Sequence, residues 1–178
     1  MSEDGKPPNV VIVLMDDLCY GDLACHGNPH VRTPELDRLH VGSARLTHYC
    51  SGPVCTPARA SLFTGRYPQR TRAIDTYCGR SMLDPDERTL PEVLKQVGYR
   101  TGLFGKWHLG DSYPTRPVDQ GFDESLVHLG GGLRQPANIG YDGYTDPDLM
   151  HNGELVSSEG YCTDIFAEAA MRWIGEGG

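Results

Sequence analysis

Apolar positions along the chain form one continuous run and several helical stripes. The segment 9–15 reads NVVIVLM, a largely β-branched run that predicts a strand buried on both faces of a parallel sheet. Segments 33–39, 57–64 and 89–97 place apolar residues on one helical face and carry helix boundary residues, and 163–174 repeats the helical stripe. The pattern therefore predicts one buried strand and four helices.

A short strand is predicted at 99–104, directly after the third helix. The strand, helix, strand order favours an α/β fold over an all-α bundle. Residues 110–160 are rich in Gly, Pro, Asp and Tyr and have weak periodicity, so we expect long loops there with one strand near 125–129. Residues 1–8 are expected to form a disordered tail and 9–178 a single domain.

Composition and charge exclude several classes of protein. A chain of 178 residues with 38% apolar and 22% charged residues is long and apolar enough for a globular core. The net charge is -8 and the basic residues are scattered, so a nucleic-acid partner is not expected. No segment is long enough to span a membrane, so no membrane partner is expected either.

The start of the chain and the cysteines bear on the cellular compartment. Residues 1–8 lack the basic and apolar regions of a secretory signal, which predicts a cytoplasmic location, or a periplasmic or secreted one if the true start lies upstream. The six cysteines contain no CxxC pair, so most are expected to be buried thiols. An upstream signal would allow them to form disulfides.

Two adjacent carboxylates, Asp16 and Asp17, follow the apolar run. Ligands bind where the strands of open α/β sheets end, and a carboxylate pair there suits Ca²⁺, or alternatively Mg²⁺, once further oxygens join it. The competing interpretation is a solvated turn.

Cys55 precedes Thr56-Pro57, so it lies just ahead of a predicted helix N-terminus. Free backbone N–H groups and the helix dipole favour an anion there and lower a thiol pKa. Arg59, in the first turn, could reach an oxyanion or a metal-ligating carboxylate. The alternative is a small buried cysteine with a structural role.

Lys106 and His108 follow the predicted strand 99–104, again at a carboxyl end. An ammonium group suits an anion and an imidazole can transfer a proton, whereas the alternative is an exposed lysine with a packed histidine. If these groups converge with the two aspartates and Cys55, they describe an anion-hydrolysing metal site. The other histidines lack metal-ligand spacing and receive no predicted role: His26, His30, His40, His48, His128 and His151.

Several motifs together resemble the sulfatase family. The run 55–66 resembles its signature, in which C-x-P-x-R directs conversion of the cysteine to formylglycine, and 98–110 is similar to its second signature. Residues 9–17 and 33–39 match the family's opening strand and following helix in order. Ala58 and Phe63 stand where the family usually has Ser and Leu, outside the C-x-P-x-R core.

The resemblance implies a fold, a cofactor and residue roles. The fold would be the alkaline-phosphatase-like one, with a mixed, mainly parallel sheet flanked by helices. Formylglycine made from Cys55 by a maturation enzyme would act as a hydrated nucleophile beside Ca²⁺. Asp16 and Asp17, with the modified Cys55, would hold the metal. Arg59 would support this region, while Lys106 and His108 would bind the sulfate of a small sulfate ester or sulfated sugar.

The resemblance also implies that part of the active site lies beyond this chain. In the family, the remaining metal ligands and a further Lys and His come from later in a chain of several hundred residues. We therefore expect a truncated N-terminal part of the catalytic domain, with little turnover alone and a complementing C-terminal chain as a partner. Two alternatives remain open: a phosphonate or phosphate monoester hydrolase of the same superfamily, and a non-catalytic binding remnant.

Overall fold

The computed structural model describes residues 7–77, 81–135 and 143–177, which fall into two compact units, Met1–Tyr49 and Cys50–Gly178. The first unit has two short 3-10 turns, Tyr20–Asp22 and Ala24–His26, followed by helix α1, Pro34–Val41. The predicted tail, 1–8, falls mostly on residues outside the described part of the chain.

The described residues of the second unit form four strands and three α-helices. The helices are α2, Cys55–Thr64, α3, Leu90–Gln96, and α4, Cys162–Glu176. The strands lie between α3 and α4 and are β1, Gly102–Lys106, β2, Glu124–His128, β3, Asp148–His151, and β4, Glu154–Ser157. Short 3-10 turns lie at Pro68–Arg70 and Pro117–Gln120. No helix of the described segments is both long and apolar enough to span a membrane.

The sheet of the second unit is mixed, which confirms the α/β class. Its strand order is β1-β2-β3-β4, with β1 and β2 parallel and the other two pairs antiparallel. The parallel register places Lys106 opposite His128, at the carboxyl ends of both strands. The carboxyl ends of β1 and β2 therefore lie side by side at one edge of the sheet, where ligand sites form in open α/β sheets.

The core of the second unit is built around Trp107, which is completely buried. Its ring lies 5.4 Å from that of Phe63 on α2 and 6.0 Å from that of Phe122, and its indole Nε1 donates to Thr115 O at 2.9 Å. Helix α4 packs on the sheet, with the Trp173 ring 5.9 Å from Phe104. The aromatic core thus lies directly beneath the carboxyl end of β1.

Helix boundaries follow the residues that predicted them. Helix α1 begins at Pro34 after Thr33, and α2 ends at Gly65, which adopts the left-handed conformation at φ 66°. In α3 the Glu92 carboxylate accepts the Thr89 N–H at 2.7 Å, a reciprocal cap at the helix start. All four predicted helices are present.

The prediction of a buried strand at 9–15 is wrong for this structure. Residues 7–15 form no regular element, and Val10 to Met15 are between 46% and 74% exposed. A strand requires ladder hydrogen bonds to a neighbour, and no described residue pairs with this segment. Its apolar, β-branched composition alone is insufficient.

The loop prediction for 110–160 missed a hairpin, β3–β4. Asn152 and Gly153 connect the two strands with φ values of 51° and 90°, the positive angles that a two-residue hairpin turn requires. An Asn-Gly pair between apolar segments is the sequence signal that could have found it. The strand predicted near 125–129 is present as β2.

The expectation that most cysteines are buried thiols is also wrong. Among the described cysteines only Cys162 is buried, whereas Cys19 and Cys50 are exposed and Cys25 and Cys55 are intermediate. Cys19 and Cys50 lie outside the helices and strands, where no packed layer covers them. Cys78 lies outside the described residues.

Candidate active site

Cys55 is the first residue of α2, so the helix begins two residues earlier than predicted. Pro57 is accommodated because the first-turn N–H groups of a helix have no partner within the helix, so its missing N–H breaks no bond. The preceding residue, Val54, has φ 58° and ψ 176°, a conformation that is strained for a β-branched side chain. The chain therefore enters α2 through a strained residue that presents Cys55 on the helix N-terminus.

Two hydrogen bonds attach the first turn of α2 to the end of β1. Thr56 Oγ1 donates to His108 O at 3.0 Å, and Arg59 Nη1 donates to Lys106 O at 2.6 Å. Thr56 is completely buried and Arg59 is 6% exposed. Because the guanidinium is held against a backbone carbonyl, Arg59 positions the Cys55 turn relative to Lys106 and His108.

The segment after β1 continues the parallel ladder beyond the strand. Trp107 N donates to His128 O at 3.0 Å, and His108 N donates to Leu129 O at 3.1 Å. Lys106 is the last residue of β1, two residues beyond the predicted end at 104, because pairing with β2 sets the strand limits. This backbone is fixed by β2 on one side and by α2 on the other.

Lys106 and His108 are buried side chains, 9% and 7% exposed. The alternative of an exposed lysine is therefore excluded. His108 has a positive φ of 59°, and a Cβ on Gly131 would lie 2.8 Å from its Cε1, so only glycine leaves room for the imidazole. Buried polar side chains on a strained backbone are typical of functional sites.

The loop after the site is held in place by its own contacts. Gly110 has φ 139°, and a Cβ there would lie 2.0 Å from Thr115 Oγ1, so this position requires glycine. Arg116 forms a bidentate pair with Asp119 at 2.8 and 2.9 Å, and these hydrogen bonds lower the pKa of the Asp119 carboxyl. The loop thereby keeps Thr115 O against the Trp107 indole.

Asp16 and Asp17 belong to the first unit, and both are exposed. Their carboxylates offer oxygens within 4.8 Å of each other, and Asp17 has φ 57°. A pair of close carboxylate oxygens fits the hard-oxygen preference of Ca²⁺ or Mg²⁺. The second unit brings Cys55, Arg59, Lys106 and His108 into one region, while the predicted metal ligands Asp16 and Asp17 lie on the other unit.

The family model described as Sulfatase matches residues 8–177, nearly the whole chain. The chain belongs to the sulfatase family. This match spans both signature runs and the carboxylate pair, so the resemblance predicted from the motifs is confirmed.

Curated relatives of the chain are sulfatases with different substrates in their names. Arylsulfatase H from Canis lupus familiaris is 43% identical over 132 residues, which cover 65% of this chain and 24% of that protein. Human steryl-sulfatase is 41% identical, covering 68% of this chain and 24% of that protein. Pig (Sus scrofa) N-acetylgalactosamine-6-sulfatase is 42% identical, covering 67% and 25%. The chain thus spans about a quarter of the length of these relatives.

Solved structures share the fold. BT4656, solved in complex with its substrate D-glucosamine-2-N,6-O-disulfate, matches with a TM-score of 0.80 and 30% identity, covering 96% of this chain and 31% of that chain. The PsFucS1 sulfatase from Pseudoalteromonas sp. matches with a TM-score of 0.65 and 35% identity, covering 71% of this chain and 26% of that chain. The mixed sheet and flanking helices are therefore part of a sulfatase domain.

Two residues of the site were missed from the sequence. Thr56 lies inside the C-x-P-x-R motif but its hydroxyl contact to His108 O joins positions far apart in the chain. Gly131 makes room for the His108 ring from a Gly-rich loop whose other glycines look identical in sequence. Neither role has a local sequence signal, because each depends on a tertiary contact.

Proposed function

We propose that this chain provides part of the active site of a sulfuric ester hydrolase that acts on aryl or carbohydrate sulfate esters. The observation that carries the proposal is the attachment of the Cys55 turn to the end of β1 by the hydrogen bonds of Thr56 and Arg59. It holds a helix N-terminus and two buried basic side chains, Lys106 and His108, on one framework. Such a framework suits the negatively charged oxygens of a sulfate group in the transition state.

Cys55 is proposed to be the site of formylglycine. That group supplies a hydrated aldehyde, which can release sulfate by re-forming the aldehyde, a route that a serine lacks. The dipole of α2 stabilises negative charge beside position 55, because Cys55 is the first residue of that helix. The maturation enzyme would recognise the intact C-x-P-x-R core of Cys55, Pro57 and Arg59, with Ala58 in place of the usual serine.

Lys106 and His108 are proposed to act on the sulfate group. The Lys106 ammonium is a compact charge that can neutralise sulfate oxygens, and the His108 imidazole can donate or accept the proton that is transferred when the ester breaks. Burial strengthens both interactions because the surrounding dielectric is lower than that of water. Arg59 acts by positioning, since its Nη1 is hydrogen-bonded to Lys106 O.

Asp16 and Asp17 are proposed to hold a divalent cation, Ca²⁺ or alternatively Mg²⁺. The cation would supply Lewis acidity to the site when bound. Ca²⁺ takes about 6–8 oxygen ligands, so two carboxylates are too few. We therefore propose that a complementing C-terminal segment or chain provides further ligands, and that the present chain alone turns over little substrate.

The substrate class rests on the relatives. BT4656 was solved with a doubly sulfated glucosamine, and other relatives are named as aryl, steryl and N-acetylgalactosamine-6-sulfatases. The substrates that these names indicate share a sulfate group on a larger organic molecule. We propose the sulfate ester as the common feature that this site recognises.

A paired ester assay tests the proposal. The protein, purified from its natural host together with the segment or chain that completes its site, is given para-nitrophenyl sulfate and para-nitrophenyl phosphate, which differ only in the transferred group. We expect kcat/KM to favour the sulfate by about 100-fold or more, the scale on which a site matched to one charge and shape discriminates. A preference for the phosphate would contradict the sulfatase proposal and favour a phosphate monoester hydrolase.

A further inference from the structure

A second cluster of chemically reactive side chains lies within the first unit. Cys25 Sγ and one ring nitrogen each of His26 and His40 all lie within 4.8 Å of one another. All three side chains are half-buried. None of them belongs to the set proposed for sulfate ester hydrolysis, so the cluster calls for a separate explanation.

Hydrogen bonds to α1 hold the cluster together. Cys25 and His26 lie in the 3-10 turn Ala24–His26, and His40 lies in the last turn of α1. Asp37 Oδ1, on α1, accepts the Cys25 N–H at 2.9 Å, and Thr33 Oγ1 accepts the Ala24 N–H at 3.0 Å. The turn and the helix are therefore fixed to each other by two hydrogen bonds from backbone N–H groups to side-chain oxygens, and neither of these two bonds uses Cys25 Sγ or a ring nitrogen.

The His26 ring has a defined tautomer. Its Nδ1 lies 2.7 Å from Tyr20 O, and a carbonyl can only accept, so Nδ1 carries the proton. Nε2 is left with its lone pair, as in metal-binding histidines whose other nitrogen donates to a carbonyl. Stacking on Tyr20 at 4.2 Å and an edge contact to His40 at 5.6 Å further restrict the ring.

A cavity of about 450 Å³ adjoins the cluster and is lined by all three residues. Its volume leaves space for a further ligand beside the protein groups. Arg45 also lines the cavity, but its guanidinium donates to the Tyr20 hydroxyl and lies 5.1 Å from the centre of that ring. The guanidinium of Arg45 is therefore held against the Tyr20 side chain.

We propose that Cys25, His26 and His40 form a binding site for a zinc-type transition-metal ion. A thiolate with two imidazoles is a ligand set that selects Zn²⁺ and excludes Ca²⁺, which prefers oxygen. Tetrahedral bonds of about 2.0–2.3 Å place ligand atoms roughly 3.3–3.8 Å apart. Side-chain rotations that move the ligand atoms by about 1 Å therefore complete the site. A water molecule or an anion from the cavity takes the fourth position.

The site is independent of sulfate ester hydrolysis in its chemistry. It uses nitrogen and sulfur, whereas the proposed Ca²⁺ ligands Asp16 and Asp17 offer only oxygen. The metal would fix the Ala24–His26 turn to the end of α1 and so stabilise the first unit. Failure of this proposal leaves the sulfatase proposal untouched, and the reverse also holds.

Cobalt titration tests the site with a direct spectroscopic readout. The intact chain, reduced with a phosphine and kept in excess Ca²⁺, is titrated with Co²⁺ while the absorption spectrum is recorded. We expect tetrahedral d–d bands and a thiolate-to-cobalt charge-transfer band that saturate at one Co²⁺ per chain and are displaced by Zn²⁺. Native mass spectrometry with Zn²⁺ should give the same stoichiometry.

Variants assign the ligands. Cys25→Ser is expected to remove the charge-transfer band, and His40→Gln to weaken Co²⁺ binding by about 100-fold or more, because loss of even an outer-shell partner costs about 10–100-fold. Cys19→Ser and His30→Gln are matched controls, exposed residues of the same unit that should leave the spectrum unchanged. Circular dichroism confirms that each variant is folded, and the His40 variant decides the matter if Cys25→Ser does not fold.

Two results would overturn the proposal. One is an intact chain that gives no charge-transfer band at any Co²⁺ concentration. The other is a band that survives in folded Cys25→Ser but is lost in Cys19→Ser, which would place the metal on a different thiolate.

Discussion

Cys55→Ala is expected to lower kcat/KM for sulfate ester hydrolysis by about 10³-fold or more, because it removes the proposed nucleophile. The folded structure should change little, since Cys55 is only half-buried and the bonds that hold α2 come from Thr56 and Arg59. The measurement is the rate of para-nitrophenyl sulfate hydrolysis by protein purified from its natural host together with the segment or chain that completes its site, with circular dichroism as a check of folding.

Cys50→Ser is the matched control for the Cys55 variant. Cys50 is an exposed cysteine of the same unit, five positions earlier in the chain, and should retain the full rate. Equal activity of the Cys55→Ala variant and the unmodified protein would show that this cysteine is not the nucleophile. The proposed mechanism would then be wrong even if the sulfate preference remained.

Trp107→Ala is expected to lower the free energy of unfolding by about 3–5 kcal/mol, the cost of removing a fully buried large aromatic side chain. The indole packs against the rings of both Phe63 and Phe122 and satisfies Thr115 O through its Nε1. Its loss leaves a cavity at the position between Lys106 and His108 in the chain and removes the donor to Thr115 O. Urea unfolding followed by far-ultraviolet circular dichroism measures the change.

Two further variants separate packing from hydrogen bonding at Trp107. Trp107→Phe keeps an aromatic ring but loses the bond to Thr115 O, so we expect an intermediate loss of about 1–3 kcal/mol. Tyr113→Ala, at a side chain that is 77% exposed, should change stability by about 0.5 kcal/mol or less. A Trp107→Ala effect no larger than that of Tyr113→Ala would contradict the described core.

The helices could be predicted because their signals are local. Pro34 after Thr33, Gly65 after α2, and Glu92 reaching back to Thr89 all act within one turn of the helix they delimit. The strands could be predicted less well, since a strand exists only where a neighbour pairs with it. The segment 9–15 has a strand composition but pairs with no strand in the described part of the chain, and β1 extends to Lys106 because β2 continues beside it.

The candidate site was predicted as a set of residues, and its geometry was not. Motif spacing placed Cys55, Arg59, Lys106 and His108 at helix and strand ends, but the bonds from α2 to residues 106–108 cross about fifty positions of sequence. His26 and His40 have no predicted role because their spacing in the sequence is not that of metal ligands, and the structure places them beside Cys25. His40 comes from the far end of a helix, so no local spacing rule applies.

Cys55 is proposed to be the residue that is converted to formylglycine in a sulfatase site. Peptide mass spectrometry on protein from its natural host detects this conversion at the residue itself. Trypsin releases residues 46–59, which carry both Cys50 and Cys55, so fragmentation is needed to assign the modification. Arg59→Lys is the control, because it breaks the C-x-P-x-R core and leaves the same cleavage site.

We predict that Cys50 is alkylated as an ordinary thiol, while Cys55 shows the mass loss of an aldehyde and reacts with a hydrazide probe. The Arg59→Lys peptide should show alkylated cysteine at both positions. Unmodified Cys55 in the natural protein would contradict the account and identify the chain as a non-catalytic member of the family.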